Sequence, residues 1–232
     1  MNNSQGMNSI HHDERLLTVL QHLSHDMKEP MAAILASCSQ FHSATSSQAQ
    51  LIEAIRKNTR LTLMMMDDCI FKIAAQAEHY QLWDVLFDSI FDQAVFATRQ
   101  LATECNIEIE VHQSCITAFV HCEPKLLEGA LVRLLSGLMM SANKDSVMVI
   151  QINLDAHKPE ALILHCRILS SSQSLDQTKI AIDEETAECI KHIIRRHHGT
   201  IIENSSNKQA GERELHLTLP CFVDCGPEGD YT

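Results

Sequence analysis

Glycine is scarce in this chain: seven residues in 232, with no G-x-G anywhere. A loop that turns its backbone amides around phosphates depends on glycine, so that device is missing. The nine cysteines are an odd number without C-x-x-C spacing, so neither a disulfide framework nor a zinc ribbon is suggested. A reducing cytoplasm is the expected setting. No uninterrupted apolar run is long enough to span a bilayer, and the first residues, M-N-N-S-Q-G-M-N-S, lack the apolar core of a signal peptide. Positive charge is short as well. A net charge of −12 with scattered acids argues against a nucleic-acid backbone or an anionic membrane as partner. What is present is enough apolar content for one large or two small domains.

The chain is organised around Leu20–Ala36, L-Q-H-L-S-H-D-M-K-E-P-M-A-A-I-L-A. Leu16, Leu23 and Pro30 form one seven-residue series; Leu20, Met27, Ile34 and Phe41 form another. That is the seam of helices packing side by side in a bundle. His25 lies between Leu23 and Met27 and projects off the seam, with Asp26 directly after it. A carboxylate there can hold the imidazole tautomer and accept its proton, leaving the other nitrogen free to attack. Pro30 removes a helical hydrogen bond at a cost of roughly 3 kcal/mol and is expected to kink or loosen the helix below His25.

The string S-H-D-M-K-E-P resembles the H-box of sensor histidine kinases, whose common form is S-H-E/D-L-R-T/N-P. Ser24, His25, Asp26, Lys28 and Pro30 match in identity or type, and Met27 replaces a similar apolar residue. Glu29 stands where the family usually has Thr or Asn, the residue tied to removing phosphate from the partner. The resemblance implies that His25 is a phosphoacceptor and Asp26 its base or orienter. Lys28, Glu29 and Pro30 would then help to dock a receiver domain.

Taken in order, residues 1–10 read as a disordered tail and residues 11–78 as a helical hairpin. Helix one is expected from about His11 to Phe41, and a small polar turn offers Ser46 or Ser47 as a cap for the next. Helix two, from about Gln48 to Glu78, has Ile52, Ile55, Thr59, Thr62, Met66, Cys69 and Ile73 at bundle spacing. Met64–Met66 reads as core filler. Stripes this wide need two hairpins about a two-fold axis, so a homodimeric four-helix bundle is expected.

Residues 79–222 show a different pattern. Asp84 is a candidate cap for a helix through Leu86, Ile90, Ala94 and Ala97. I-E-I-E-V-H alternates as a strand through Ile107, Ile109 and Val111, and Ala118–His121 is another short one. Pro124 opens a helix through Leu127, Leu131, Leu134, Leu135 and Leu138. Strands follow near Val147–Leu154 and Ala161–Leu169, then a serine-rich loop, Ser170–Asp176. A last helix over Asp183–His198 begins with acids suited to its dipole and stops at Gly199, a left-handed cap. Strands I-I-E-N and E-L-H-L-T-L-P close the domain, and residues 223–232 read as a tail. The expected class is α+β: the hairpin bundle, then an α/β sandwich with helices on one face of a mixed sheet.

This second half resembles the ATP-binding domain of the same kinases. W-D-V-L-F-D is similar to its entry helix, E-P-K-L-L-E-G-A-L-V-R-L-L to the helix that carries the N-box, and I-K-H-I-I-R-R-H-H-G-T-I-I to the late helix-to-strand passage. The nucleotide-binding residues do not follow. The N-box pattern N-L-L-x-N-A falls on Arg133, Leu134, Leu135, Ser136, Gly137 and Leu138, so both magnesium-holding asparagines are replaced. No D-x-G-x-G follows R-I-L-S-S-S-Q-S, and G-x-G-L falls on Glu184, Glu185, Thr186 and Ala187, where two acids would repel a triphosphate.

No ATP binding is therefore expected, no cofactor, and magnesium only from a receiver partner. A phosphoacceptor histidine without a nucleotide site implies a phosphorelay carrier, a histidine phosphotransferase built on a degraded kinase scaffold. The rivals are a histidine kinase with a divergent ATP site and a non-catalytic pseudokinase scaffold that binds a kinase or response regulator. A zinc site from Cys189, His192, His197 and His198 is set aside, because Arg195 and Arg196 add positive charge and no fourth ligand has clear spacing.

Overall fold

The computed structural model describes residues 25–38, 46–77, 80–114, 117–143, 145–169, 182–207 and 212–223. Two compact units meet in sequence after His79. The expected tails and the serine-rich loop over Ser170–Asp176 lie outside the described residues, as do Leu16, Leu20, Leu23 and Phe41. Val223 is the exception: the sequence pattern puts it in the tail, but it pairs with Ala118 in a short closing strand.

The first unit contains helix α1, residues 25–38, and helix α2, Ser46–Ala75. Ser46 and Ser47 are the first two residues of α2 rather than its cap. Helix α1 continues through Pro30, which has no N–H to offer the carbonyl of Asp26, so the turn holding His25 and Asp26 lacks that bond. Along α2, Thr59 and Thr62 donate their hydroxyls to the carbonyls of Ile55 (2.8 Å) and Asn58 (2.9 Å), satisfying them within the helix. Cys38, Phe71 and Ala75 are buried. Met27, Ile34 and Ile55 of the apolar series, and Leu51 beside it on α2, stay open to solvent in the single chain. Met64 and Met65 are not core filler here, being 53% and 68% exposed.

In the second unit the order is β1 (Trp83–Leu86), α3 (Phe87–Cys105), β2 (Glu108–Gln113), β3 (Ala118–Cys122), α4 (Pro124–Ser141), β4 (Val147–Leu154), β5 (Ala161–Leu169), α5 (Glu184–Arg196), β6 (Thr200–Asn207), β7 (Glu212–Pro220) and β8 (Phe222–Val223). A mixed sheet runs β2-β4-β5-β7-β6, with β2 parallel to β4 and the other pairs antiparallel. A small second sheet runs β1-β3-β8.

The strands alternate as a sheet covered on one face must. Met148, Ile150 and Ile152 of β4, Leu164, Cys166 and Ile168 of β5, and Leu215, Leu217 and Leu219 of β7 are buried. Phe87 and Phe91 of α3, Leu127, Leu131, Leu135 and Met139 of α4, and Ile190 and Ile193 of α5 complete that core. Each such side chain contributes roughly 1.5–3 kcal/mol by leaving water. The fold is thus α+β, with helices on one face of a mixed sheet.

Two expectations about local structure are corrected. Asp84 does not cap a helix. It lies in β1 opposite His121 of β3, and its carboxylate meets His121 Nδ1 at 2.8 Å, so W-D-V-L is a strand and α3 starts at Phe87. Accordingly Thr98, not Ala97, continues the buried stripe of α3. At the end of α5 the left-handed residue is His198 (φ 57°), not Gly199. The His198 N–H donates to the Arg195 carbonyl and the Gly199 N–H to that of Ile194, both at 2.9 Å, which closes the helix in a Schellman motif. Gly199 is small for another reason: a Cβ there would lie 2.5 Å from the carbonyl oxygen of Thr218.

Candidate functional site

His25 is on α1 with its side chain 78% exposed. Its Nδ1 lies 3.5 Å from Asp26 Oδ1, and that carboxylate is as exposed as the ring. The acid therefore addresses Nδ1, which leaves Nε2 as the nitrogen that can meet an incoming group. Glu29 and Pro30 are exposed on the same helix, while Lys28 is half-buried. Lys28 pairs with Asp67 of α2, a partner that the sequence does not indicate. Its contact depends on how the two helices meet, and the period of one helix carries no such information.

In the second unit α4 holds the positions aligned with the N-box. Arg133 turns back along its own helix, its Nη1 donating to the Gly129 carbonyl at 3.2 Å. Gly137 is buried and the side chain of Ile182 packs directly on it: a Cβ at 137 would stand 2.3 Å from Ile182 Cγ1. An apolar side chain thus occupies the space that an asparagine at 137 would require.

The positions aligned with G-x-G-L form the first turn of α5. Asp183 is its N-cap, accepting from the Thr186 N–H at 2.9 Å and from the Thr186 hydroxyl at 2.6 Å. Glu184 and Glu185 follow in the first turn, and Arg195 and Arg196 sit in the last, as the helix dipole favours. A helix N-terminus is a natural anion site, but here a carboxylate is already hydrogen-bonded there.

His197 holds the late helix-to-strand passage from within. It is 1% exposed. Nδ1–H donates to the Ile193 carbonyl at 2.7 Å, and Nε2 accepts from the Glu123 N–H at 2.9 Å, tying the end of α5 to the start of α4. Burial pushes its pKa below the ordinary imidazole value. With both ring nitrogens used, His197 has none left for a metal, which removes it from the set Cys189, His192, His197 and His198. Tyr80 stacks on the His197 ring with centroids 5.7 Å apart, and the Arg196 guanidinium lies 4.2 Å over Tyr80. Burial pushes the Tyr80 phenol up to about 12.

No family model matches the chain, and no curated protein matches it. Solved structures do. Full-length ShkA in complex with AMPPNP superposes with a TM-score of 0.59 at 13% identity, over 89% of this chain and 46% of that one. The histidine kinase AdeS of Acinetobacter baumannii superposes with a TM-score of 0.55 at 12% identity, over 86% of this chain and 97% of that one. The fold is that of a histidine-kinase core. The chain spans about half of the ShkA chain and nearly all of the AdeS chain. Among the described residues, no helix is long and apolar enough to cross a membrane.

Proposed function

We propose that this chain is a cytoplasmic phosphorelay protein of two-component signalling. His25 carries a phosphoryl group to or from an aspartate of a receiver domain, and the chain itself binds no ATP. The observation behind this reading is the contrast between two places on one histidine-kinase fold. His25 is open to an incoming partner and has an acid at Nδ1. On α4, Ile182 fills the space beside Gly137, and the N-terminus of α5 is closed by Asp183.

The transfer step balances without a nucleotide. The lone pair of His25 Nε2 attacks the phosphorus of the receiver's aspartyl phosphate, the N–P bond forms, and the acyl P–O bond breaks to return a carboxylate. The ring gains positive charge, and Asp26 stabilises it through Nδ1–H. The receiver supplies its own magnesium. Lys28, held by Asp67, together with Glu29 and Pro30 forms the docking surface beside His25.

The apolar series left open on α1 and α2 supports a homodimer in which two hairpins make a four-helix bundle. Leu51→Lys would then give a monomer by light scattering; a clean monomer in the wild type at micromolar concentration refutes the dimer.

The decisive experiment is phosphotransfer. Wild type incubated with a phosphorylated receiver is expected to take up label, and His25→Gln none. Labelling of wild type by ATP alone would favour the second reading, a histidine kinase with a divergent ATP site, which the whole-length likeness to AdeS supports.

A further inference from the structure

We infer that His165, Glu214 and His216 form a binding site for a zinc-type divalent cation on the sheet face away from the helices. The three come together through strand geometry. Glu214 and His216 are two apart on β7 and so share a face, and His165 of β5 lies directly opposite His216 in the antiparallel register. The inward neighbours Cys166, Leu215 and Leu217 are buried in the core, which fixes these three on the other side.

The groups converge without satisfying one another. His165 Nε2 is 4.0 Å from Glu214 Oε1, and His216 Nε2 is 3.8 Å from Glu214 Oε2. Neither separation is a hydrogen bond. The imidazole rings stack nearly parallel, centroids 4.1 Å apart. His165 Nε2 is shut off from solvent and has no hydrogen-bond partner, an arrangement that costs free energy while it stays unpaired.

One ligand atom from each residue can be chosen so that all three lie within 4.8 Å of one another. A tetrahedral ion with bonds of about 2.0–2.2 Å holds its ligand atoms about 3.5 Å apart, so modest side-chain rotation closes the set. Two imidazoles and one carboxylate suit zinc and its neighbours better than magnesium or calcium. The side chains of Glu214 and His216 are 26% and 34% exposed, leaving an approach for the ion and a place for a water ligand. Arg167 is the opposing charge, its Nε 3.8 Å from Glu214 Oε1. It too lacks a hydrogen-bond partner at that atom, so no bond to Glu214 has to be given up there. A bound ion would staple β5 to β7. It uses no residue of the phosphotransfer reading and stands independently of it.

The test is a titration of the chelator-treated full chain with zinc chloride, followed by calorimetry and by NMR of the histidine rings. Wild type is expected to bind one equivalent with paired shifts of the His165 and His216 ring signals. His216→Gln and Glu214→Gln are each expected to weaken that event by more than tenfold. Unchanged zinc affinity in both variants overturns the site. Ring shifts confined to other histidines in the wild type overturn it as well, whatever the variants do.

Discussion

Gly137→Ala, made with and without Ile182→Ala, tests whether Ile182 closes the face of α4. In an open helix, alanine in place of glycine stabilises by about 1 kcal/mol, because glycine loses more backbone freedom on folding. At position 137 the new methyl would meet Ile182 Cγ1 at 2.3 Å and Cδ1 at 2.4 Å, well inside van der Waals contact. Forcing these atoms apart costs about 1–3 kcal/mol, which offsets or exceeds the propensity gain. Ile182→Ala alone loses about 1–2 kcal/mol, roughly half the cost at a fully buried isoleucine, because the side chain is half-exposed. In the double variant the alanine methyl enters space that Ile182 has left, and the helix gain returns. The expected coupling between the two changes is therefore about 2 kcal/mol. Urea denaturation followed by circular dichroism reads it, and in a thermal scan it amounts to roughly 2–4 °C per kcal/mol. Equal effects of Gly137→Ala in both backgrounds would refute the packing.

Other expectations follow from the same geometry. Burial lowers the pKa of His197 from 6.5, so the unfolded chain binds more protons below that pH; its stabilising contribution is complete above pH 6.5 and falls away as the medium turns acid. The urea midpoint should drop between pH 7.5 and 5.5 by more in wild type than in His197→Gln, and equal drops would rule out this role. Asp183→Ala removes two hydrogen bonds at the start of α5 and should cost about 1 kcal/mol, whereas Asp183→Asn keeps most of the cap; thermal scans compare them. The Lys28–Asp67 pair is 42% and 51% exposed, so Lys28→Met should change stability by less than about 1 kcal/mol. On the proposed reading it slows transfer from a phosphorylated receiver several-fold at unchanged melting temperature. A normal transfer rate would take Lys28 out of the docking surface.

Elements with a strong period are legible in the sequence itself. The leucines of α4 recur every three or four residues, and the inward residues of β4, β5 and β7 alternate, so both types announce the face they bury. W-D-V-L misleads because Asp84 has the chemistry of a cap, and only its cross-strand partner His121 shows that it is in a strand. Gly199 misleads for a related reason: a glycine after a helix suggests a left-handed turn, but the constraint comes from Thr218 on another strand. The contacts that the sequence hides all depend on register between separate elements. Lys28 with Asp67, Ile182 on Gly137, and His165 opposite His216 are each far apart in the chain.

The two activities that such a scaffold can hold make unequal demands on sequence. Accepting a phosphoryl group from a receiver takes one open imidazole, one neighbouring acid and a surface; the receiver brings the metal and the activated phosphorus. Holding a nucleotide takes polar groups from several elements at once, each buried only because the ligand satisfies it. Without the ligand such groups are a cost, and replacing them by packing is stabilising. On the proposed reading, Ile182 against Gly137 is a replacement of that kind, while Leu127, Leu131 and Leu135 keep the helix seated on the sheet. On the same reading Asp183 acts likewise, satisfying the Thr186 amide at the N-terminus of α5 that a phosphate would otherwise meet. On the proposed reading, then, the second unit keeps its fold while it gives up the nucleotide: at Gly137 and at the start of α5, contacts internal to the protein stand where contacts to the ligand would be.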